Sequence, residues 1–359
     1  MPRALTALFL AVVLSASSVG AAPQTRRRPS VSARPAATVR VSATEPVQSA
    51  YRKSPYVGAV TACEEIRAVR GSDGVLRQQK VWKTSFADGA DRPAYPASVT
   101  KLMTLLLVIE DVRAGRYGFG DLVTATPDVY RCEPSWVGIK PGETMSVRDL
   151  LLALMVESAN DAAIALAIHS ARDFDAFVAR MNARAAELGM SATRYYNPNG
   201  LPPNAGRRYP WKSFNVTTAN DQLKLALRLV SMSETFAFTA VKTCDLVRQP
   251  GGYRVSVTRK ANEPFRQTTL LEGEKIVKQM LNHNNIMVKD KLKVLNPGGV
   301  EAVDGLKTGY IHAGGSSVVL TGLYGSRRAV VVVLGSASAP ERDENARRLM
   351  TDALGSLAW

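Results

Sequence analysis

The order of the periodic segments constrains this chain most: strand patterns stand at both ends of its structured part, with helical patterns between them. Structure is expected to begin near Tyr56. Residues 57–63 and 75–82 read as strands separated by the turn signal Gly71-Ser72-Asp73-Gly74. Residues 305–311, 316–323 and 329–334 read as three more, the last two joined by a hairpin at Tyr324-Gly325-Ser326-Arg327. Strands so far apart in the chain predict one sheet assembled from both ends, closed by a helix over 341–357.

From Val99 the apolar residues Leu102, Met103, Leu106, Ile109 and Val112 keep a helical period that Gly115 ends. Helical patterns follow over 147–156, 160–170, 174–188 and 221–232. Residues 90–97, with two prolines, are expected to be irregular, and 197–211 is a loop rich in Pro, Gly and Asn. The stretch 240–300 is less legible. Within it 253–258 alternates like a strand, and 274–280 is expected to be helical.

The 359 residues suffice for one large domain or two small ones, and the net charge of +15 is unevenly spread. Residues 22–53 carry Arg26, Arg27, Arg28, Arg34, Arg40, Arg52 and Lys53 against the single acid Glu45. Rich in Pro, Ser, Ala and Arg, this stretch cannot bury a core and reads as a disordered linker, suited to peripheral contact with anionic envelope polymers. Before it, Arg3, the apolar run 4–14 and the small residues Val19-Gly20-Ala21 form the pattern of a signal peptide over 1–21. A basic body often points to nucleic acid, but an exported chain favours the periplasm or cell envelope, and no nucleic-acid partner is expected. Residues 54–359 are then expected to form the folded domain. The three cysteines, Cys63, Cys132 and Cys244, leave at least one thiol unpaired; with no metal-ligand cluster in the sequence, neither a metal nor a cofactor is expected.

Three short strings carry the chemistry: Ser98-Val99-Thr100-Lys101, Ser158-Ala159-Asn160 and Lys307-Thr308-Gly309. A serine hydroxyl is a poor nucleophile until a neighbouring base takes its proton. Lys101 lies one helical turn beyond Ser98, on the same face, and serves as base if burial and nearby cations lower its pKa. The string SxxK occurs once, about as often as chance allows in a chain of this composition. The helix that follows Ser98 is the better argument. SxN occurs at 158–160 and at 213–215; the first lies between two apolar helices, where a turn can present Ser158 to a cleft, and is preferred. Ser158 can relay a proton to a leaving amine, and the Asn160 amide can hold a substrate carbonyl. On a strand, Lys307 and Thr308 can bind an anionic substrate end, while Gly309 leaves the strand edge open to a peptide. The backbone N–H groups of Ser98 and Tyr310 are candidates for the oxyanion hole.

With these residues in place, the chain resembles the D-alanyl-D-alanine carboxypeptidase family, the low-molecular-mass penicillin-binding proteins, over residues 96–322. Asn160-Asp161-Ala162-Ala163, Met181-Asn182, Leu188-Gly189-Met190, Asn197-Pro198-Asn199-Gly200-Leu201 and Asp304-Gly305-Leu306 support the likeness. The resemblance implies an α/β (α+β) fold of the β-lactamase/transpeptidase type, an antiparallel sheet beside a helical cluster. It implies removal of the terminal D-alanine from peptidoglycan stem peptides through an acyl-enzyme, with β-lactam antibiotics as inhibitors. Three departures bear on substrate preference. Ile311 stands where the family commonly has threonine, the 202–214 loop is long and basic, and the 50 residues after Gly309 leave no room for a further C-terminal β-domain and anchor.

A DD-endopeptidase would use the same residues. A serine β-lactamase shares the triplets but needs a residue that activates water against the acyl-enzyme, and no Glu-containing counterpart can be assigned. An inactive wall-binding protein would not need Ser98, Lys101 and Lys307 together.

Overall fold

The computed structural model describes residues 56–129, 132–203, 213–289 and 302–357. The segments read as signal peptide (1–21) and linker (22–53), and most of the 202–214 loop, lie outside the described residues.

The two ends of the chain meet in a five-stranded antiparallel sheet. Strands β1 (Gly58–Arg70) and β2 (Leu76–Asp88) form a hairpin at one side, and the C-terminal strands supply the rest. Both strands outrun the predicted 57–63 and 75–82. The parts missed are 64–70 of β1, where Glu64 and Glu65 form cross-strand ion pairs with Lys80 and Lys83 in place of an apolar face, and 83–88 of β2. A 3₁₀ turn, Ala97–Thr100, leads into helix α1 (Lys101–Arg113). Two short strands, β3 (Leu122–Thr124) and β4 (Thr144–Ser146), precede α2 (Val147–Leu152). The helix widens into a π turn, Ala153–Glu157, and Ser158 then breaks the path to α3 (Asn160–Ala171). Helices α4 (Phe174–Glu187) and α5 (Ala219–Val230) complete the helical layer. Each starts where a side chain accepts an otherwise unpaired N–H: Asp173 from Ala176, Thr218 from Asp221.

The short α6 (Thr235–Thr239) leads into β5 (Val241–Gln249), β6 (Gly252–Lys260) and β7 (Lys275–Leu281). Sequence alone predicts one sheet; the described residues form two. The second has the order β3-β4-β6-β5-β7, with β7 at its edge. The expected helix at 274–280 is therefore strand β7. Its Glu, Lys, Gln and Met residues favour a helix locally, but pairing with β5 from Thr243↔Leu281 to Arg248↔Lys275 decides the outcome. A short α7 (Asn285–Val288) follows. Strands β8 (Val303–Ile311), β9 (Gly315–Tyr324) and β10 (Arg327–Ser336) complete the first sheet in the order β2-β1-β10-β9-β8, before α8 (Ala339–Leu357).

Alternation along these strands buries both sheet faces. Val60, Ala62, Leu306, Val319, Val330, Val332 and Leu334 face the helical layer. Ala59, Cys63, Val318, Leu320, Val331 and Val333 face α8, which packs Ala346, Leu349, Met350, Ala353 and Leu354 on them. Cys63, Cys132 and Cys244 are all buried and unpaired. No helix among the described residues is long and apolar enough to cross a membrane.

Candidate active site

The 3₁₀ turn holds Ser98 at the start of α1, and Ala97 before it sits at φ 48°, a left-handed conformation unusual for alanine. Two close backbone approaches fix the turn. At Gly200, φ +85°, a side chain would bring Cβ to 1.8 Å from the Ala97 carbonyl oxygen. At Gly309 a Cβ would lie 2.6 Å from the Pro96 carbonyl oxygen and 3.0 Å from the Ser98 nitrogen. Glycine at 309 thus lets β8, the edge strand of the first sheet, pack directly on the turn that carries Ser98.

Lys101 is fully buried on α1, and its Nζ lies 2.9 Å from Ser98 Oγ, 2.7 Å from Asn160 Oδ1 and 2.9 Å from the Asn199 carbonyl oxygen. The Asn160 amide is held with its oxygen toward Lys101, because its Nδ2 donates to the Glu133 carbonyl at 2.8 Å. Asn160 Oδ1 and the Asn199 carbonyl can only accept. Burial, reinforced by the charge of Lys307, drives Lys101 well below the usual lysine range. A neutral Lys101 keeps two N–H groups for these acceptors and turns its lone pair to the third hydrogen-bond partner, the Ser98 hydroxyl, which has a proton to give. That arrangement can take the serine proton without a histidine.

Ser158 follows the π turn in a left-handed conformation, φ 61° and ψ 32°, and is buried. The Ala159 N–H closes the turn on the Ala153 carbonyl at 3.1 Å, and the Asn160 N–H donates to Ser135 at 2.8 Å. On β8, Lys307 and Thr308 are buried, while Tyr310 is exposed. Lys307 Nζ donates to the Thr308 carbonyl at 3.0 Å. Its burial, together with the positive charge of Arg342, lowers its pKa to about 7, against an opposing pull from Glu157. Asn282 and Asn284 anchor the segment between them to Val241 and Gly305. His283 sits there, held at about 4 by partial burial and by Lys307, Lys101, Lys278 and Arg342.

The structure thus brings Ser98, Lys101 and Asn160 into one hydrogen-bonded cluster and sets Gly309 against it. Sequence reasoning quoted Asn199, Asp161 and Asn215 within strings but gave no supporting role to them, and it did not name Thr104. Asn199 gives its carbonyl to Lys101, and Thr104 donates to the Pro198 carbonyl at 2.7 Å. Asn215 donates to Thr100 Oγ1 and to the Asn197 carbonyl, each at 3.0 Å. Asp161 accepts N–H groups from Val137, Gly138, Ile139 and Ala162 and so shapes the segment beside Asn160. The Asn197–Gly200 string was the visible signal for the first two. Asn215, the last residue of the second SxN, binds the turn that carries Ser98 through Thr100.

The family model described as D-alanyl-D-alanine carboxypeptidase matches residues 82–338. A curated relative, the D-alanyl-D-alanine carboxypeptidase DacF of Bacillus subtilis, is 25% identical over 283 residues, which cover 79% of this chain and 62% of that protein. The chain spans less than two thirds of the length of the first curated relatives it matches. Among solved structures, the D-alanyl-D-alanine carboxypeptidase DacD of Francisella tularensis superposes with a TM-score of 0.64 at 23% identity, covering 89% of this chain and 73% of that one. The ampicillin-bound penicillin-binding protein D2 of Listeria monocytogenes gives 0.59 at 22% identity, covering 84% and 98%. These likenesses establish the fold, an α/β architecture of antiparallel sheets and helices shared with penicillin-binding proteins. The family model spans more than half of the chain and encloses all three motifs, so the chain belongs to the D-alanyl-D-alanine carboxypeptidase family of peptidases.

Proposed function

We propose that this protein is a serine peptidase that removes the terminal D-alanine from peptidoglycan stem peptides through an acyl-enzyme on Ser98, and that penicillins acylate the same serine. The observation that carries the reading is the buried Lys101, whose only proton-donating neighbour at hydrogen-bond distance among the described residues, when it is neutral, is the Ser98 hydroxyl. In this reading Ser98 Oγ attacks the carbonyl carbon of the scissile D-Ala-D-Ala bond and gives its proton to Lys101. The backbone N–H groups of Ser98 and Tyr310 take the developing oxyanion. The proton passes by way of Ser158 to the leaving amine, and water later releases the acyl group. Asn160 orients Lys101 and a substrate carbonyl, while Lys307 and Thr308 meet the terminal carboxylate.

Residues 54–359 are the catalytic domain in this proposal. The 1–21 signal peptide carries it to the periplasm or cell envelope, where the basic 22–53 linker rests on anionic polymers. Glu157, a carboxylate next to Ser158, is occupied by Lys278, which supports slow rather than rapid turnover of bound penicillin.

Incubation of the protein with a pentapeptide and a cross-linked muropeptide, followed by mass spectrometry, tests the reading. Loss of one alanine is expected; cleavage of the cross-link instead would make it an endopeptidase. Ser98→Ala is expected to abolish labelling by a fluorescent penicillin, and retained labelling would refute the nucleophile. Rapid repeated hydrolysis of penicillin would point to a β-lactamase.

A further inference from the structure

One ion pair joins the second sheet to the site. Lys278 lies on the edge strand β7, and its Nζ reaches Glu157 Oε1 at 2.5 Å and the Trp136 carbonyl oxygen at 3.4 Å. Glu157 is the last residue of the π turn, bonded directly to Ser158. Trp136 follows Ser135 in the segment 133–136, where the Glu133 and Ser135 carbonyls hold the side chain and backbone N–H of Asn160. A single ammonium therefore fastens the two backbone segments that carry Ser158 and Asn160. Both sit in conformations that need outside support: a widened helical turn ending in a left-handed serine, and an amide whose orientation depends on a loop carbonyl. The pair is only partly exposed, with Glu157 at 13% and Lys278 at 39% of side-chain surface, so solvent screens it less than a free surface pair.

We propose that Lys278 and Glu157 are a positioning pair for the Ser158 and Asn160 wall of the site. Lys307 is faced by Lys101 from α1, Glu157 from the π turn, His283 from the segment between β7 and α7, and Arg342 with its partner Asp343 from α8. Of these groups, Arg342 lowers Lys307 and the Glu157 carboxylate raises it, so the pH profile of acylation also reads the pair. The inference rests on the reading of Ser98 as the acylated nucleophile.

The test measures the rate constant for acylation of the full chain by a fluorescent penicillin, across pH, with thermal melting as the control for folding. Lys278→Gln and Glu157→Gln are each expected to slow acylation about 10- to 100-fold, the range a displaced catalytic group typically costs, with Lys278→Arg restoring most of the rate. The alkaline limb, which reports Lys307 in the free enzyme, should move in opposite directions. It falls in Glu157→Gln, which removes the anion, and rises in Lys278→Gln, which leaves that anion unneutralised. A role confined to stability would lower melting in both variants and move neither limb. Rates within twofold of wild type, or limbs unmoved or shifted together, overturn the proposal while wild-type labelling mapped to Ser98 upholds the parent reading. Failure of the wild type to label at Ser98 overturns both.

Discussion

At the scale of residues, the site is organised by two buried lysines whose charge the fold disfavours. Lys101 has acceptor partners that tolerate its neutral form, while Lys307 stands against the Arg342 charge and donates to a carbonyl of its own strand. Such sites trade stability for function. The folded-state pKa of Lys307 is about 7, below its ordinary value of 10.5. Between these values the unfolded chain binds the extra proton, so this group makes stability rise with pH across that window and fall as pH drops toward 7. Lys307→Met, which keeps the volume and removes the charge, is expected to stabilise the protein by roughly 1–4 kcal/mol below pH 7, by analogy with buried charges replaced by apolar groups. The gain should shrink steadily toward pH 10, and penicillin labelling should be severely weakened. Melting curves at pH 6 and pH 9 check this; a gain that does not change with pH would place the cost of Lys307 in packing rather than charge.

At the scale of elements, the β1–β2 hairpin separates structure from function. Residues 58–63 of β1 pair with β10 inside the sheet, whereas 64–70 pair only with β2 and are largely exposed. Native-state hydrogen exchange should therefore be slow over 58–63 and much faster over 64–70 and 76–83. Replacing 67–79 with an Asn-Gly turn between the paired residues Ile66 and Lys80 should leave penicillin acylation within ~2-fold, since the outer ribbon supports no part of the site. A large loss would show that the ribbon steadies the sheet at a distance. The same contrast explains what the sequence could disclose. Strands with an apolar face, such as 305–311, 316–323 and 329–334, were legible because burial wrote a pattern into them. Residues 64–70 of β1 and strand β7 were not, because their partners are other strands and ions rather than a core. In the site, the three motifs were legible as strings. Asn199, Asn215 and the Lys278–Glu157 pair were not, because their meaning lies in contacts across 98, 115 and 121 residues of chain.

At the scale of the whole molecule, the edge strand of the first sheet depends on pairing between distant parts of the chain. β10 lies between β1 and β9, and β8, which carries Lys307, is reached only through them. The tie extends to the last helix, where the Cys63 thiol meets the Ala353 carbonyl across 290 residues. So many distant contacts predict folding on the slow side for a chain of this size, since loop closure must precede pairing. They also make α8 essential although only Arg342, with its partner Asp343, has an electrostatic link to the site. Ala346, Met350 and Leu354 are fully buried on the sheet face opposite the helical layer. Burial of such a Leu or Met is worth roughly 1.5–3 kcal/mol each, so loss of the helix removes more than a typical net stability margin of ~5–15 kcal/mol can absorb once the exposed sheet face is counted. A chain ending before Ala339 is therefore expected to lose its cooperative melt, bind a hydrophobic dye and fail to acylate, even with Ser98, Lys101, Asn160 and Lys307 all present. Were it to melt cooperatively near the full-length Tm, the sheet would be held by its helical-layer face alone, and α8 would serve the site only through the charge of Arg342. Arg342→Met in the intact chain separates these cases: it should spare the cooperative melt and move the alkaline limb of acylation upward, because the cation that lowers Lys307 is gone.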